Sequence, residues 1–478
     1  MIKCADIRTE LIQDVVGAYF RFVMLSHRWE GTEPLLRDVQ GQFVYELNPA
    51  GGIVKLQSFC KIARDVGYLW AWIDTCCIDQ SNNVDVQESV NSMFVWYRHS
   101  ALTIVYLSDV PPSFKPGALA ESAWNTRGWT IQEFLAPRVV LFYQQDWTPY
   151  LDDRFSNHKE STTIMQELAD RTGIDTQTLV AFRPGMREAR KKLQWVSRRV
   201  TTRQEDIAYS LFGIFGIHLP VIYGERKQSA LGRLLQEVVA QSGDITALDW
   251  VGTPSNFNSC LPAEITSYTA LSHTFPSLSG DEMQALVSSL RNTVIIDFAF
   301  KLYTLLDNLT APRFANHRLQ LPSIVFLVTE VTKRHIQDQE SYFTYDVKAD
   351  GLQDLSITTE DKMIQFSPTM PIQQTFLLVR PWNRYDLGLP DFADDTVSVE
   401  GRSAPGSLGE ITPVVSDESE SRALRLVVRL AQPFAALLVA QQRGGEYKRI
   451  AADQEIVVQV KDKTSVRSMM DIRTLEIL

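Results

Sequence analysis

The chain is poor in the features that mark several large protein classes. Cysteine is scarce, with Cys4, Cys60, Cys76, Cys77 and Cys260 the only five in 478 residues. None falls in a C-x-x-C pair, and no histidine pair accompanies them at zinc-ligand spacing. Buried, reduced thiols and no metal are the expectation. No apolar run approaches the roughly 20 residues that span a bilayer. The N-terminus, MIKCADIRTELIQD, lacks the apolar core of a signal peptide. Excess positive charge is missing too: 47 Lys and Arg face 57 Asp and Glu, for a net charge of -10 and a pI near 5.3. A nucleic-acid-binding surface is therefore not expected. These absences predict a cytoplasmic protein with no membrane span and no nucleic-acid partner.

Several catalytic signatures are also absent. There is no G-x-x-x-x-G-K-[ST] phosphate loop, no G-x-S-x-G elbow, no H-E-x-x-H and no G-x-G-x-x-G. The common hydrolase, kinase and dehydrogenase motifs give no assignment.

What is present is a rhythm. In residues 1–150 four apolar runs, FRFVML (20–25), YLWAWID (68–74), ALTIVYL (101–107) and RVVLFY (138–143), suit strands buried on both faces. Leu56, Phe59, Cys60 and Ala63 lie at helical spacing between the first two, as do Val90, Met93, Phe94 and Tyr97 between the second and third. Strand, helix, strand in this order predicts right-handed βαβ units and a parallel sheet. Residues 151–250 read as helical, with Thr202 and Glu205 as a capping box and Leu231, Leu234, Leu235 and Val238 as a buried stripe. After residue 250 the texture changes. TVIIDFAF, SIVFLVTE, QTFLLVR, ALRLVVRL, FAALLVAQ and EIVVQVK predict a β-rich second domain, 251–478, of sandwich type. Residues 391–422, acidic and rich in Ser, Gly and Pro, read as a mobile loop.

Ligands of open parallel sheets bind outside the carboxyl ends of the strands. The first strand delivers Ser26, His27, Arg28 and Trp29 there, and the second delivers Asp74. The third leads through Asp109 towards Trp124, Arg127 and Glu133. Such a rim suits a ligand with hydroxyls, phosphates and a flat ring. Each residue also has a structural explanation: packing for the tryptophans, pairing for Arg28, loop capping for Asp74.

Six blocks, VMLSHRWEG, WAWIDTCCIDQ, ESVNSMFVWYRHSALTIVYLSDV, SAWNTRGWTIQEFLAPRVVLFY, RRVTTRQEDIAYSLFGIFGIHLPVIYGE and LQEV, resemble in order the fungal HET (heterokaryon incompatibility) domain over residues 20–250. Arg226 departs from the glycine common after Tyr-Gly-Glu. The resemblance implies a cytosolic fungal protein that triggers programmed cell death on recognising non-self. HET domains are in turn similar to Toll/interleukin-1 receptor (TIR) domains. The implied fold is a TIR-like, flavodoxin-like α/β core in 1–150, a helical extension in 151–250, and the β-rich domain. Self-association through the core and a protein trigger are implied as partners. RGWTIQEFL is similar to the TIR motif whose glutamate cleaves the nicotinamide–ribose bond of NAD. By position Glu133 is its counterpart, with Ser26, Arg28, Trp29, Asp74 and Trp129 as substrate-binding candidates. NAD would be a substrate, and no cofactor is implied. A non-enzymatic assembly module is the alternative.

One glutamate is chemically sufficient for that reaction. Nicotinamide leaves a pyridinium as a neutral molecule, so no acid is needed, and one carboxylate can stabilise a ribosyl cation. Yet Thr130-Ile131-Gln132-Glu133 also has the form of a capping box, with Trp129 and Phe134 as its staple and Pro137 as its stop.

Overall fold

The computed structural model describes residues 19–112, 116–271, 275, 278–291, 296–334, 342–360, 362–367, 374–382, 417–461 and 471–478. The N-terminal segment with Cys4, and residues 391–416 of the expected mobile loop, lie outside them. The chain divides into two compact units, Met1–Gly185 with Trp195–Ala230, and Met186–Gln194 with Leu231–Leu478.

In the first unit β1 (Phe22–His27), β2 (Trp70–Trp72), β3 (Leu102–Tyr106) and β4 (Val140–Tyr143) form one sheet in the order β2-β1-β3-β4, and all its pairings are parallel. Parallel neighbours need crossovers. Helix α1 (Gly52–Asp65) links β1 to β2, α2 (Asn83–His99) links β2 to β3, and the short α3 (Thr130–Leu135) precedes β4. Leu56, Phe59 and Ala63 of α1 share a core with Val23, Leu25 and Ile104 of the sheet. Helix α2 opens on Asn82, whose side chain accepts from the Val84 N–H at 3.0 Å, and closes on Arg98 and His99. Both ends satisfy the helix's own dipole and donors. β2 departs from the expectation of a strand buried on both faces. It is the sheet edge, and Trp70 is 46% exposed.

Gly213, in the helix Phe212–Phe215, sits where that helix meets α2, and a Cβ there would overlap the Cβ and ring of Phe94. Gly213→Ala is expected to cost about 1–3 kcal/mol in urea unfolding, and an unchanged midpoint would refute the close approach. The Thr202/Glu205 capping box does not form. The helix Asp206–Tyr209 has no side-chain cap; Thr202 Oγ1 accepts from Arg127 and Glu205 from the Gly224 N–H.

The second unit buries Leu231, Leu234, Leu235 and Val238 as expected. Its strands are β5 (Arg313–Ala315), β6 (Arg318–Lys333), β7 (Phe343–Ala349), β8 (Leu355–Thr359), β9 (Phe376–Pro381), β10 (Phe434–Gln441), β11 (Tyr447–Ile450), β12 (Ile456–Val458) and β13 (Ile472–Ile477). β6 is long enough to pair with β13, then β9, then β7. β9 pairs with β10, β10 with β11, and β11 meets β13 at Tyr447 and Ile477. The pairing returns to β6, so the described strands form a circuit within one sheet, not the two facing sheets of a sandwich. Two runs read as strands are helical. Residues 296–300 of TVIIDFAF open the helix Ile296–Asp307, and ALRLVVRL lies in the helix Asp417–Leu430. That helix also takes residues 417–422 of the segment expected to be a loop.

Candidate active site

β1 and β3 stay paired to their carboxyl ends, but the chain leaves β1 for β2 on one side and β3 for β4 on the other, and a cleft of about 190 Å³ opens at this end of the first unit. Its polar lining includes His27, Trp29, Asp74, Arg127, Trp129, Glu133, Arg203, Asp206 and Tyr223, and Ile78, Val86, Val90 and Met93 form an apolar wall.

Glu133 is only 6% exposed. Its Oε2 accepts from the Ser26 hydroxyl at 2.6 Å, and the Ser26 oxygen accepts from the Trp124 indole N–H at 2.8 Å. The capping box predicted for this stretch is not made. Trp129, in helical conformation, is the N-cap residue of α3, and no side chain caps it. Thr130 instead shares its hydroxyl proton between the Trp124 and Arg127 carbonyls. Buried Arg199 donates to the Arg127 carbonyl and to Thr130 Oγ1, both at 2.9 Å. At the other end buried Lys159 donates to the Pro137 carbonyl at 2.8 Å. The turns on either side of the helix carrying Glu133 are thus held by Arg199 and Lys159, and the carboxyl is left to the cleft. Gly128 lets this turn pass close to Thr201, whose methyl a Cβ would strike.

Burial is the main cause that lifts the Glu133 carboxyl from the ordinary 4.5 to about 8; the Asp74 charge adds to it, and the Ser26 hydrogen bond and Arg127 and Arg199 oppose it. In the free protein the group is therefore mostly protonated at neutral pH. Asp74 accepts from His27 Nε2 at 3.0 Å and from the Trp29 indole at 2.8 Å, so it ties two loops together and does not cap its own. Asp206 accepts from the Trp129 indole at 3.3 Å and from Tyr223, and burial above all raises its pKa to about 6. Two lining atoms, His27 Nδ1 and Asp206 Oδ1, are buried without a hydrogen-bond partner. Arg203 lies over the Tyr223 ring at 4.0 Å.

Trp29, Asp74, Trp129 and Glu133 therefore meet in one cleft. Ser26 does not line it; fully buried, it stands behind Glu133. Arg28 is exposed and outside the lining, and its carbonyl accepts from Lys55 at 3.3 Å. Asp109 anchors the loop to Ser122 and Ala123. Asp206, Arg203 and Tyr223 were not among the residues expected here.

The unit is thus a parallel α/β domain with an acidic, tryptophan-lined cleft at the strand ends. Residues 22–115 match the family model described as "Heterokaryon incompatibility protein (HET)". The chain is 38% identical over 239 residues to "Vegetative incompatibility protein HET-E-1" of Podospora anserina, a match covering 48% of this chain and 17% of that protein. No solved structure matches the chain. Among the described residues no helix is long and apolar enough to cross a membrane.

Proposed function

We propose that the cleft hydrolyses NAD at the nicotinamide–ribose bond, and that the chain triggers cell death in a fungal heterokaryon-incompatibility response. The name of the relative supports the second part. The order β2-β1-β3-β4 supports a TIR-like core, because it matches the first four strands of the flavodoxin-like order. The observation that carries the chemistry is Glu133, buried at the cleft and bonded to Ser26 with no capping duty.

In this mechanism the bond from ribose C1′ to the pyridinium nitrogen breaks, and its electron pair leaves with neutral nicotinamide. The ionised Glu133 carboxylate stabilises the ribosyl cation. Water adds to C1′ and gives up a proton, which a carboxyl of pKa about 8 can accept at neutral pH. Arg127 and Arg203 supply charge for the diphosphate. Concentrated purified protein should convert NAD to nicotinamide and ADP-ribose, measured by chromatography; intact NAD across pH 6 to 9 would end the proposal. Arg203→Ala is expected to raise KM for NAD roughly tenfold with kcat held. Cleavage of nicotinamide riboside, which lacks the diphosphate, should not change. Equal effects on both substrates would remove the diphosphate role.

A second reading, assembly without catalysis, draws on the exposed edge at β2, where Tyr19, Phe20, Leu69 and Trp70 are 53%, 57%, 69% and 46% accessible. Killing that survives Glu133→Gln but is lost with Trp70→Asp would favour it.

A further inference from the structure

The second unit holds a larger cavity than the cleft, about 340 Å³, within the range of roughly 300–1,000 Å³ usual for small-molecule sites. Phe434 to Leu438 of β10 form one wall, Arg449 and Ile450 of β11 another, and Ile245 to Trp250 a third. Two guanidiniums line it, Arg449 and Arg380, with 7% and 9% exposure.

Arg449 is held rigidly. It donates to the carbonyls of Leu248 at 2.7 Å, Trp250 at 3.0 Å and Cys260 at 3.4 Å, and it lies 4.0 Å from the centre of the Trp250 ring. Those bonds use Nη1 and one N–H of Nη2. Among the described residues the Nε–H and the second Nη2–H have no partner, and no carboxylate pairs with the group. Arg380 lies 4.7 Å from the centre of the Phe434 ring. Of the lining carboxylates, Asp249 is paired with Arg190 at 2.9 Å and Glu455 is half-buried. Buried charge is normally answered by opposite charge. Phe434, Leu437, Leu438, Ile450 and Ile456 give the cavity apolar walls, and Thr246 and Gln454 add polar side chains.

We propose that this cavity binds a small monoanion, a carboxylate on a flat apolar body. Its charge takes the two unspent N–H groups of Arg449, as carboxylates commonly do with arginine, and its body lies among Trp250, Leu437 and Ile450. The site is independent of the cleft chemistry, since all of its residues belong to the second unit.

The test titrates the full chain with 1-naphthoate and, separately, with uncharged 1-naphthamide, by calorimetry. The acid is expected to bind at least about tenfold more tightly than the amide, the value of one charge-assisted pair. Ala435→Leu, which fills the cavity from a half-buried position, should lose the acid at unchanged NAD cleavage. Arg449→Gln should bind acid and amide alike; should that variant not fold, Ala435→Leu and the acid–amide comparison decide. Equal affinity of acid and amide for the native chain, no saturable binding in the millimolar range, or undiminished binding by Ala435→Leu would each overturn the site.

Discussion

Glu133→Gln is expected to abolish NAD cleavage, by on the order of a hundredfold or more, and at the same time to raise the melting temperature at pH 7. The two effects have one cause. Glutamine keeps the acceptor for the Ser26 hydroxyl but carries no charge, so it cannot stabilise a ribosyl cation. It also escapes the cost of keeping a carboxyl buried. The folded pKa of about 8 stands above the ordinary 4.5. Below pH 4.5 both folded and unfolded chains hold the proton, and the wild type loses nothing. Between 4.5 and 8 the unfolded chain releases it while the folded chain keeps it, so wild-type stability falls with rising pH. By pH 7 the variant should lead by on the order of 1–3 kcal/mol, part of the linkage term being offset by the added amide N–H groups. Glu133→Ala should also lose cleavage, but it strands the Ser26 hydroxyl and leaves a void, so it should melt lower. Full cleavage by Glu133→Gln would remove the proposed chemistry. A variant that melts like the wild type at both pH 5 and pH 8 would show that the carboxyl is not buried in neutral form.

How far the sequence leads to this cleft depends on which signal each residue carries. The four parallel strands and their crossover helices are legible because buried strands and amphipathic helices leave different periods. Ser26, Asp74 and Glu133 are legible because they end or follow such strands. Trp29 and Arg28 are not separable that way. Past the strand end no alternation holds, and only the structure shows the indole reaching Asp74 while the guanidinium points to solvent. Arg203 and Asp206 lie some 70 residues beyond Glu133, and Tyr223 some 90. The pattern around the first two, TTRQED, fits a cap equally well, and nothing local reports a fold that returns to the sheet. The misread ALRLVVRL had a usable signal. Arg422, Arg425 and Arg429 repeat at three and four residues, the helical period, and Arg422 and Arg425 are exposed while the apolar residues between them are buried. The apolar content of the run outweighed the spacing of its charges.

The pH dependence of cleavage should be steep and unusual for a carboxylate enzyme. The limiting form is ionised Glu133, and the free protein holds it protonated below about 8. For a single ionisation kcat/KM should rise about 50-fold from pH 6 to pH 8 and level off above. An unperturbed glutamate would give a flat line over that range. Because NAD brings a cationic ring to the carboxyl, binding favours the ionised form. The inflection in kcat should therefore lie below that in kcat/KM, and binding near pH 7 should release a proton to buffer. Two variants move the inflection in opposite directions. Ser26→Ala removes a hydrogen bond that favours the charged carboxylate, so the inflection shifts to higher pH. Asp74→Asn removes a neighbouring negative charge, so it shifts to lower pH. A structural disturbance alone would lower rates in both variants without moving the inflection. A flat wild-type profile, or parallel shifts in the two variants, would mean that the group titrating in catalysis is not Glu133.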